Sequence, residues 1–582
     1  MTSVASAASR PSSRSRLDFG KLLILIPILL VSFIILGLLV FVIWMSFANT
    51  DGGMPTGGYS LANYVELYTD PGVVRAAKNT AIFAFITVIV AALIGLPMAW
   101  LVERTDLPAK SVIWTMLVIG LLIPGFFTAM GWLFLFDPRI GFVNQLLMQW
   151  FSLSVAPLQV TNIYGMGFVE GLTLAPLFFL MTASGFRAMD PSLEEAARTS
   201  GASTVQLTRR VVLPLMLPGI LAASIFTFTI ALGTFDVPGI IGLSNRIFTF
   251  STLLFVKTAA IEDTPNYGLP AAFGAAMLVL ALILSTVYVR LLRHARRYEV
   301  ITGKGYRPRL IKLKGWAFLG WALVGSYVFF AQILPFLLVV WASLLPYYQP
   351  PSLVALSQVS LDTFGEIAWD VVWRGLGNSV LIAVIVPTLV MFSSIAFSWT
   401  VLRSKIRGRL FLDGVAFLPQ AVPGLIFSLG AVLFALFILP NSIPLYGTVG
   451  ILVLVYAVSW TSFGTRAMNS ALIQVHAELE EASYASGASR YATMRRILFP
   501  LLRPAITSAW IWLALLSLRE LTRAVILGSS GNLTLPIVTW GFWNGGQLGQ
   551  ASVVVLVTLA LFAPALLLYF YFGRSSTEMV SR

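Results

Sequence analysis

The 582-residue sequence contains no cysteine and only two histidines, His294 and His476. Without thiols there is neither a disulfide framework nor a thiolate metal site. Two imidazoles are too few for a catalytic metal centre, and no metal ligand is assigned. Charge is scarce as well: 11% of residues are charged against 58% hydrophobic, which excludes an ordinary soluble globular chain. Acidic residues are the scarcer sign, 24 against 38 basic, for a net charge of +14. That excess lies in short segments between apolar runs, the positive-inside pattern of a membrane protein, and no nucleic-acid partner is expected. A P-loop is missing too. The nearest string, TGKGYR at 302–307, has neither the spacing nor the hydroxyl residue of G-x-x-x-x-G-K-[ST]. No catalytic residue is assigned, and the chain is not read as an enzyme.

What is present is a series of runs of about 20 apolar residues, the length that crosses a hydrocarbon core as a helix. A Ser- and Arg-rich tail at 1–21 precedes a first half, 22–292, with spans near 22–47, 79–102, 111–136, 164–186, 217–242 and 269–291. The first run is longer than a signal-peptide core and lacks a small-x-small cleavage site, so it reads as a retained span. A basic linker at 293–315 leads to a second half, 316–573, with spans near 316–345, 377–402, 410–438, 445–467, 504–527 and 551–573, and a tail at 574–582. Twelve crossings put both termini on one side. Their basic residues, with those of the 103–110 and 403–409 turns, mark that side as the cytoplasm. The fold class expected is an all-α polytopic membrane protein of two parallel six-helix repeats.

The repeat is explicit. MDPSLEEAARTSGASTVQLTRRVVLPLMLPGI at 189–220 matches VHAELEEASYASGASRYATMRRILFPLLRPAI at 475–506, with Glu195 over Glu481, Gly201 over Gly487 and Pro214 over Pro500, an offset of 286. Upstream, Asn79 matches Asn378, Trp100 matches Trp399 and Pro124-Gly125 matches Pro423-Gly424, at an offset of 299. The difference of 13 residues is expected in the polar stretch at 137–150, on the outer face. Each repeated segment reads as an elbow outside the bilayer (189–217 and 475–503). Its first helix starts at Asp190-Pro191 or from a Ser192/Glu195 capping box. Glu194, Glu195 and Ala196, or Glu480, Glu481 and Ala482, lie in it. A glycine stops it, and a second helix with Arg209-Arg210 or Arg495-Arg496 is closed by Pro214 or Pro500.

Both elbows resemble the EAA loop of permease subunits of binding-protein-dependent ABC importers, EAA-x3-G-x9-I-x-L-P. The first copy fits at Glu195, Ala196, Ala197, Gly201, Val211, Leu213 and Pro214. The second fits at Glu481, Ala482, Gly487, Ile497 and Pro500, and departs at Ser483 and Phe499. The resemblance implies the type I importer permease fold, with both permease halves fused in one chain. It makes the elbows coupling helices for a homodimeric ATPase, which alone uses ATP and Mg, so this chain binds no cofactor. It also implies a soluble or lipid-anchored periplasmic binding protein and a place in the bacterial inner membrane. The strings SLRELTRAVILGSSGNLTLPIVTW and YEVITGKGYRPR are similar to fused permeases of iron(III)-type importers, a group with thiamine, polyamine, phosphonate and sugar-phosphate relatives.

Charges at membrane depth are costly and mark function by default. Asp236 and the group Arg519, Glu520 and Arg523 qualify, with Glu170 and Asn162 weaker. Under the 286 offset Asp236 aligns with Thr522, while Arg519 and Arg523, four apart, share a helix face. Two readings stand together: contact with cargo along the pathway, or an internal ion pair locking the halves. An ion-coupled twelve-span secondary transporter is the alternative function.

Overall fold

In hydrocarbon every backbone N–H and C=O must be paired within the protein, so an apolar chain crosses as helix. The computed structural model describes residues 19–51, 54–189, 191–259, 266–295, 310–404, 406–439 and 444–581. Asp190, Lys405, Arg582, the tail before residue 19 and the linker before residue 310 lie outside the described residues. In the first half, α1 (Phe19–Phe47) leads into a hairpin of β1 (Ala48–Asp51) and β2 (Met54–Tyr59), the only sheet among the described residues. Then come α2 (Ala62–Thr69), α3 (Pro71–Arg104), α4 (Lys110–Leu122), α5 (Gly125–Phe136), α6 (Phe142–Phe151) and α7 (Ile163–Ala188). The elbow contributes α8 (Pro191–Thr199) and α9 (Thr204–Leu207), and α10 (Leu213–Gly233), α11 (Phe250–Thr258) and α12 (Gly268–Ala295) complete the half.

The second half repeats the plan. It begins with α13 (Ala317–Val328), α14 (Leu334–Ser343), α15 (Leu353–Leu356), α16 (Asp362–Glu366), α17 (Trp369–Arg403), α18 (Arg409–Ala421), α19 (Gly424–Phe437) and α20 (Val449–Ile473). Its elbow holds α21 (Glu478–Ala485) and α22 (Arg490–Thr493), and then come α23 (Phe499–Leu518), α24 (Ala524–Leu527), α25 (Leu535–Asn544) and α26 (Leu548–Ser581). The 13 residues by which the first half exceeds the second fall at α6, which has no counterpart among the described residues between α19 and α20.

Ten helices among the described residues are long and apolar enough to cross a membrane, and three helix pairs qualify only as bent units. The stretches read as straight spans at 111–136 and 410–438 are broken, by 92° between α4 and α5 and by 103° between α18 and α19. The cause is Pro124 and Pro423: a proline cannot donate a helical N–H, and it forces the preceding residue into extended backbone. Ile123 and Val422 are extended accordingly. The spans read at 217–242 and 504–527 shift as well, ending at Gly233 and Leu518. After Gly233 the chain forms a further bent segment, Pro238–Asn245 with Phe250–Thr258, at 72°. Counting that segment as a crossing would put the two elbows on opposite faces and break the two-fold relation. It therefore turns back on the face opposite the elbows, as does the α24–α25 stretch of the second half.

Pro214 and Pro500 do not end the second elbow helices, contrary to the sequence expectation. In each copy the helix runs unbroken into the next span, from Val205 to Gly233 and from Arg490 to Leu518. A wider π turn immediately before the proline makes this possible: Leu213 N–H bonds Thr208 O, and Phe499 N–H bonds Met494 O, five residues back. The extra residue absorbs the ring's clash with the preceding turn. Pro335 is accommodated in the same way after Phe329–Ile333.

The first span of each half lies against the other half. Helix α1 packs on α17, α18 and α19, and α13 and α14 pack on α3, α4 and α5. Two equivalent glycines, 299 residues apart, permit the approach. A Cβ on Gly131 would collide with Pro335 of α14, and one on Gly430 with the Leu38 backbone of α1. Replacing either glycine with valine is expected to overpack its contact and cost about 1–3 kcal/mol, additively for the pair because the sites are distant. Thermal unfolding in detergent measures this; unchanged midpoints would show that these contacts do not seat the exchanged spans.

Candidate functional site

Each elbow is a short helix stopped by a left-handed glycine. Gly201 has φ +81° and Gly487 φ +82°, and a Cβ on either would meet nothing within 4 Å. Backbone strain, not space, therefore selects glycine here. In both copies the residue after the glycine donates to a carbonyl five residues back, Ala202 to Ala197 and Ala488 to Ser483, closing a Schellman-type stop. The next helix is capped by Ser203, which accepts from Gln206 N–H at 3.3 Å, and by Ser489, which accepts from Ala492 N–H at 3.2 Å. Ser483, a departure from the motif, pairs with the Thr493 hydroxyl at 2.8 Å across the elbow.

The two acidic residues of each elbow divide their roles. Glu194 and Glu480 point inward and are buried, whereas Glu195, Ala196, Glu481 and Ala482 are exposed. Glu194 forms an ion pair with Arg104, the last residue of α3. Glu480 repeats this with Arg403, the last residue of α17, whose Nε is 3.0 Å from the carboxylate, and also accepts from Trp399 Nε1 at 3.0 Å. The same guanidiniums reach the end of the span that enters the elbow: Arg104 donates to Phe186 O at 3.4 Å, Arg403 to Leu472 O at 3.1 Å and to Val475 O. A cation at the carbonyl end of a helix is favoured by its dipole. One arginine per half, Arg104 buried and Arg403 half-buried, thus binds the elbow, α7 or α20, and α3 or α17 into one body. Arg104 and Arg403 are the functional residues that reading the sequence missed. Their signal was present, since both stand four residues after the matched Trp100 and Trp399.

The two elbows also differ in what lies beside them. In the first half Leu310–Leu313 lies along the turn after α3: Ile311 N–H bonds Arg104 O at 2.9 Å, and Asp106 N–H bonds Ile311 O at 3.0 Å. At the second elbow the corresponding face borders a cavity of about 660 Å³, lined by Trp399, Arg403, Glu480, Glu481, Tyr484 and Arg490 among others.

The intramembrane charges gather at the helix breaks. Asp236 is buried, accepts from the Thr522 hydroxyl at 3.2 Å, and its carboxylate lies against Gly125, the first residue of α5. Thr522 in turn accepts from Phe235 N–H at 3.0 Å. Asp236 and Thr522 are equivalent positions of the two halves, and equivalent positions touch only on the two-fold axis. Arg519 donates to Leu121 O at the carbonyl end of α4. Glu520 and Arg523 pair at 2.5 Å, and the Arg523 guanidinium lies 4.7 Å from the Trp460 ring centre, beside Gly424 of α19. Arg519 and Arg523 do not share a helix face: α23 ends at Leu518, and both lie in the turn before α24. Glu170, ranked lower from sequence, is 3% exposed and within electrostatic reach of Asp236 and Arg519. Asn162 is a helix cap, accepting from Gly165 N–H at 2.9 Å. Among the described residues no group of three or more His, Asp or Glu is arranged to hold a metal.

One family profile, "Binding-protein-dependent transport system inner membrane component", matches twice, at residues 74–298 and 390–577. A putative ferric transport system permease protein of Haemophilus influenzae is 24% identical over 77% of this chain and 69% of its own length. A second protein of that organism, an Fe(3+)-transport system permease protein, is 23% identical over 86% of this chain and 90% of its own. A crystal structure of a bacterial alginate ABC transporter with a periplasmic protein is similar over 40% of this chain and 82% of the matched chain, at 17% identity and TM-score 0.33.

Substituting Arg403 with Gln is expected to leave the buried Glu480 charge without its partner and to destabilise by about 3–5 kcal/mol. The double variant Arg403→Met with Glu480→Leu removes both charges and should recover most of that loss. Thermal unfolding in detergent reads the difference; equal loss in both variants would mean that the pair is not the source of the stability.

Proposed function

Because this chain belongs to the family of binding-protein-dependent transport system inner membrane components, we propose that its two elbows dock on a homodimeric ATPase and that its axial charges line the translocation pathway. As a member of that family it is the multi-pass inner-membrane permease component of an ABC importer, with both halves in one polypeptide. The observation that carries the docking reading is the pair of elbows with matching glycine stops, buried glutamates and clamping arginines, on one face of a two-fold body. A two-fold ATPase dimer requires two such equivalent contacts. Outward-facing Glu195, Ala196, Glu481 and Ala482 are the surface offered to it. The elbow face is then cytoplasmic, as the basic Arg209, Arg210, Arg495 and Arg496 favour. Both termini share it.

ATP binding closes the partner dimer and draws the elbows together, and each elbow carries its six-span half with it. The axial cluster of Asp236, Arg519, Glu520 and Arg523, with Glu170, separates along the two-fold axis and opens the pathway to the opposite face. There a soluble or lipid-anchored binding protein delivers cargo, and hydrolysis returns the halves. ATP and Mg stay with the partner. The cargo is an iron(III)-type solute on the likeness to two ferric permeases over most of the chain; polyamines, phosphonates, sugar phosphates and thiamine are the competing classes.

The test is reconstitution in proteoliposomes. An ATPase should co-purify with the chain, its turnover should rise with the periplasmic binding protein, and iron(III) uptake should require ATP. Uptake driven by an ion gradient without ATP would overturn the reading. Gly201→Val with Gly487→Val should lower coupled transport by about thirtyfold or more, since each residue would be strained by about 1–2 kcal/mol in its left-handed conformation.

A further inference from the structure

Asn79 and Asn378 match between the halves, yet neither elbow docking nor the axial charges uses them. Each stands near the outer end of the helix whose other end carries a clamping arginine. Asn79 Nδ2 donates to Phe248 O at 3.0 Å, and the neighbouring Thr80 hydroxyl accepts from Phe250 N–H at 2.8 Å. In the second half Asn378 Nδ2 donates to Leu533 O at 2.8 Å, and the Ser379 hydroxyl accepts from Leu535 N–H at 2.9 Å. In both places a donor and an acceptor on α3 or α17 grip a carbonyl and an N–H two residues apart, where the turned-back segment enters its second helix. That segment starts two residues after Asp236 in the first half and at Ala524, next to Arg523, in the second.

We propose that α3 and α17 are coupling rods: Asn79 with Thr80, and Asn378 with Ser379, carry the elbow's displacement to the turned-back segments that bear on the axial cluster. The geometry runs through each half without a gap. The elbow glutamate is fixed to Arg104 or Arg403; 25 residues separate that arginine from Asn79 or Asn378, about 37 Å of helix. The far end is fixed to the segment by two hydrogen bonds. Helix α3 is also held rigidly to α7. A Cβ on Gly95 would crowd the Ala175 carbonyl, and one on Gly171 would crowd the Val90 side chain, so the two helices approach closely at both glycines. The Thr87 hydroxyl donates to Gly167 O across the same seam at 3.3 Å. A push on the elbow therefore moves α3, α7 and the segment as one body. Asn79, Thr80, Asn378 and Ser379 act through the segment and are positioning residues.

This inference rests on the docking of the elbows proposed above, and the experiment separates the two. In the full complex with its ATPase and binding protein, Asn79→Ala with Asn378→Ala should lower solute moved per ATP hydrolysed about thirtyfold, for the loss of two hydrogen bonds of about 1 kcal/mol each. The ATPase should still co-purify. Thr80→Ser and Ser379→Thr keep the acceptor and should keep the wild-type ratio, while Thr80→Val and Ser379→Ala should not. A structural role alone would lower yield and leave the ratio of the surviving complex unchanged, and that result overturns the proposal. Because the chain lacks cysteine, a second measurement is clean. Cysteines placed at Asn79 and Phe248, joined by a short bis-maleimide, replace the grip covalently. Transport should persist after cross-linking; transport that stops would show that rod and segment must part, and would overturn it. If the wild-type complex itself shows no ATP-dependent transport, the docking reading fails instead.

Discussion

The constraint on which this structure depends is that backbone groups at membrane depth must be paired within the protein. Breaking α4 from α5 at Pro124 and α18 from α19 at Pro423 leaves helix ends inside the protein, each with donors or acceptors that lack a helical partner. The charges at the axis occupy those ends. The Asp236 carboxylate lies against Gly125 at the start of α5, and Arg519 donates to the Leu121 carbonyl at the end of α4. The negative group meets the positive end of a helix dipole and the positive group the negative end, the arrangement that stabilises each. Prolines and intramembrane charges, which look like two separate anomalies in an apolar sequence, are halves of one solution.

The same constraint governs the periphery. Arg104 and Arg403 satisfy carbonyls at the ends of α7 and α20 before they pair with the elbow glutamates. Asn79, Thr80, Asn378 and Ser379 satisfy the segments that turn back on the opposite face. Each of these departures from helix is therefore tied by a side chain of a neighbouring helix, and those ties connect the elbow to the axis. In a protein that must move as a few rigid bodies, the polar contacts required for stability also decide which parts move together. Glycine sets the complementary rule, because the Gly131 and Gly430 contacts let a span of one half lie against the other and hold the two bodies in register.

Much of this was legible in the sequence, and the boundary of legibility has a physical basis. The repeat, both elbows, their glycine stops and the approximate number of spans come from local residue types and length, which one dimension records. The match of Pro124-Gly125 to Pro423-Gly424 was visible, but not that both positions bend sharply, since apolar content is the same for straight and broken helices. Pro214 and Pro500 read as helix ends because the compensating π turn has no sequence mark of its own. Arg519 and Arg523 read as one helix face because nothing in LSLRELTRAV announces that α23 stops at Leu518. Glu194 and Glu195 are chemically identical in sequence. Only the position of Arg104, about ninety residues earlier, turns one inward and leaves the other on the surface.

Under the proposed pathway, pairing across the axis also explains why a net attraction at the cluster need not hold it shut. Asp236 is held by the Thr522 hydroxyl, and Arg519 reaches across to a backbone carbonyl; neither is fixed across the halves by a carboxylate–guanidinium bridge. The bridge that does form, Glu520 with Arg523, lies within the second half and can travel with it. Separating the halves thus breaks hydrogen bonds worth about 1–3 kcal/mol each and leaves the ion pair intact, within reach of a ligand-driven shift in population. A buried ion pair spanning the axis would cost more, because each half would then open with an uncompensated charge. The strong electrostatics sit where the protein must stay whole, inside each half and at each elbow, and the weak ones lie where it must come apart.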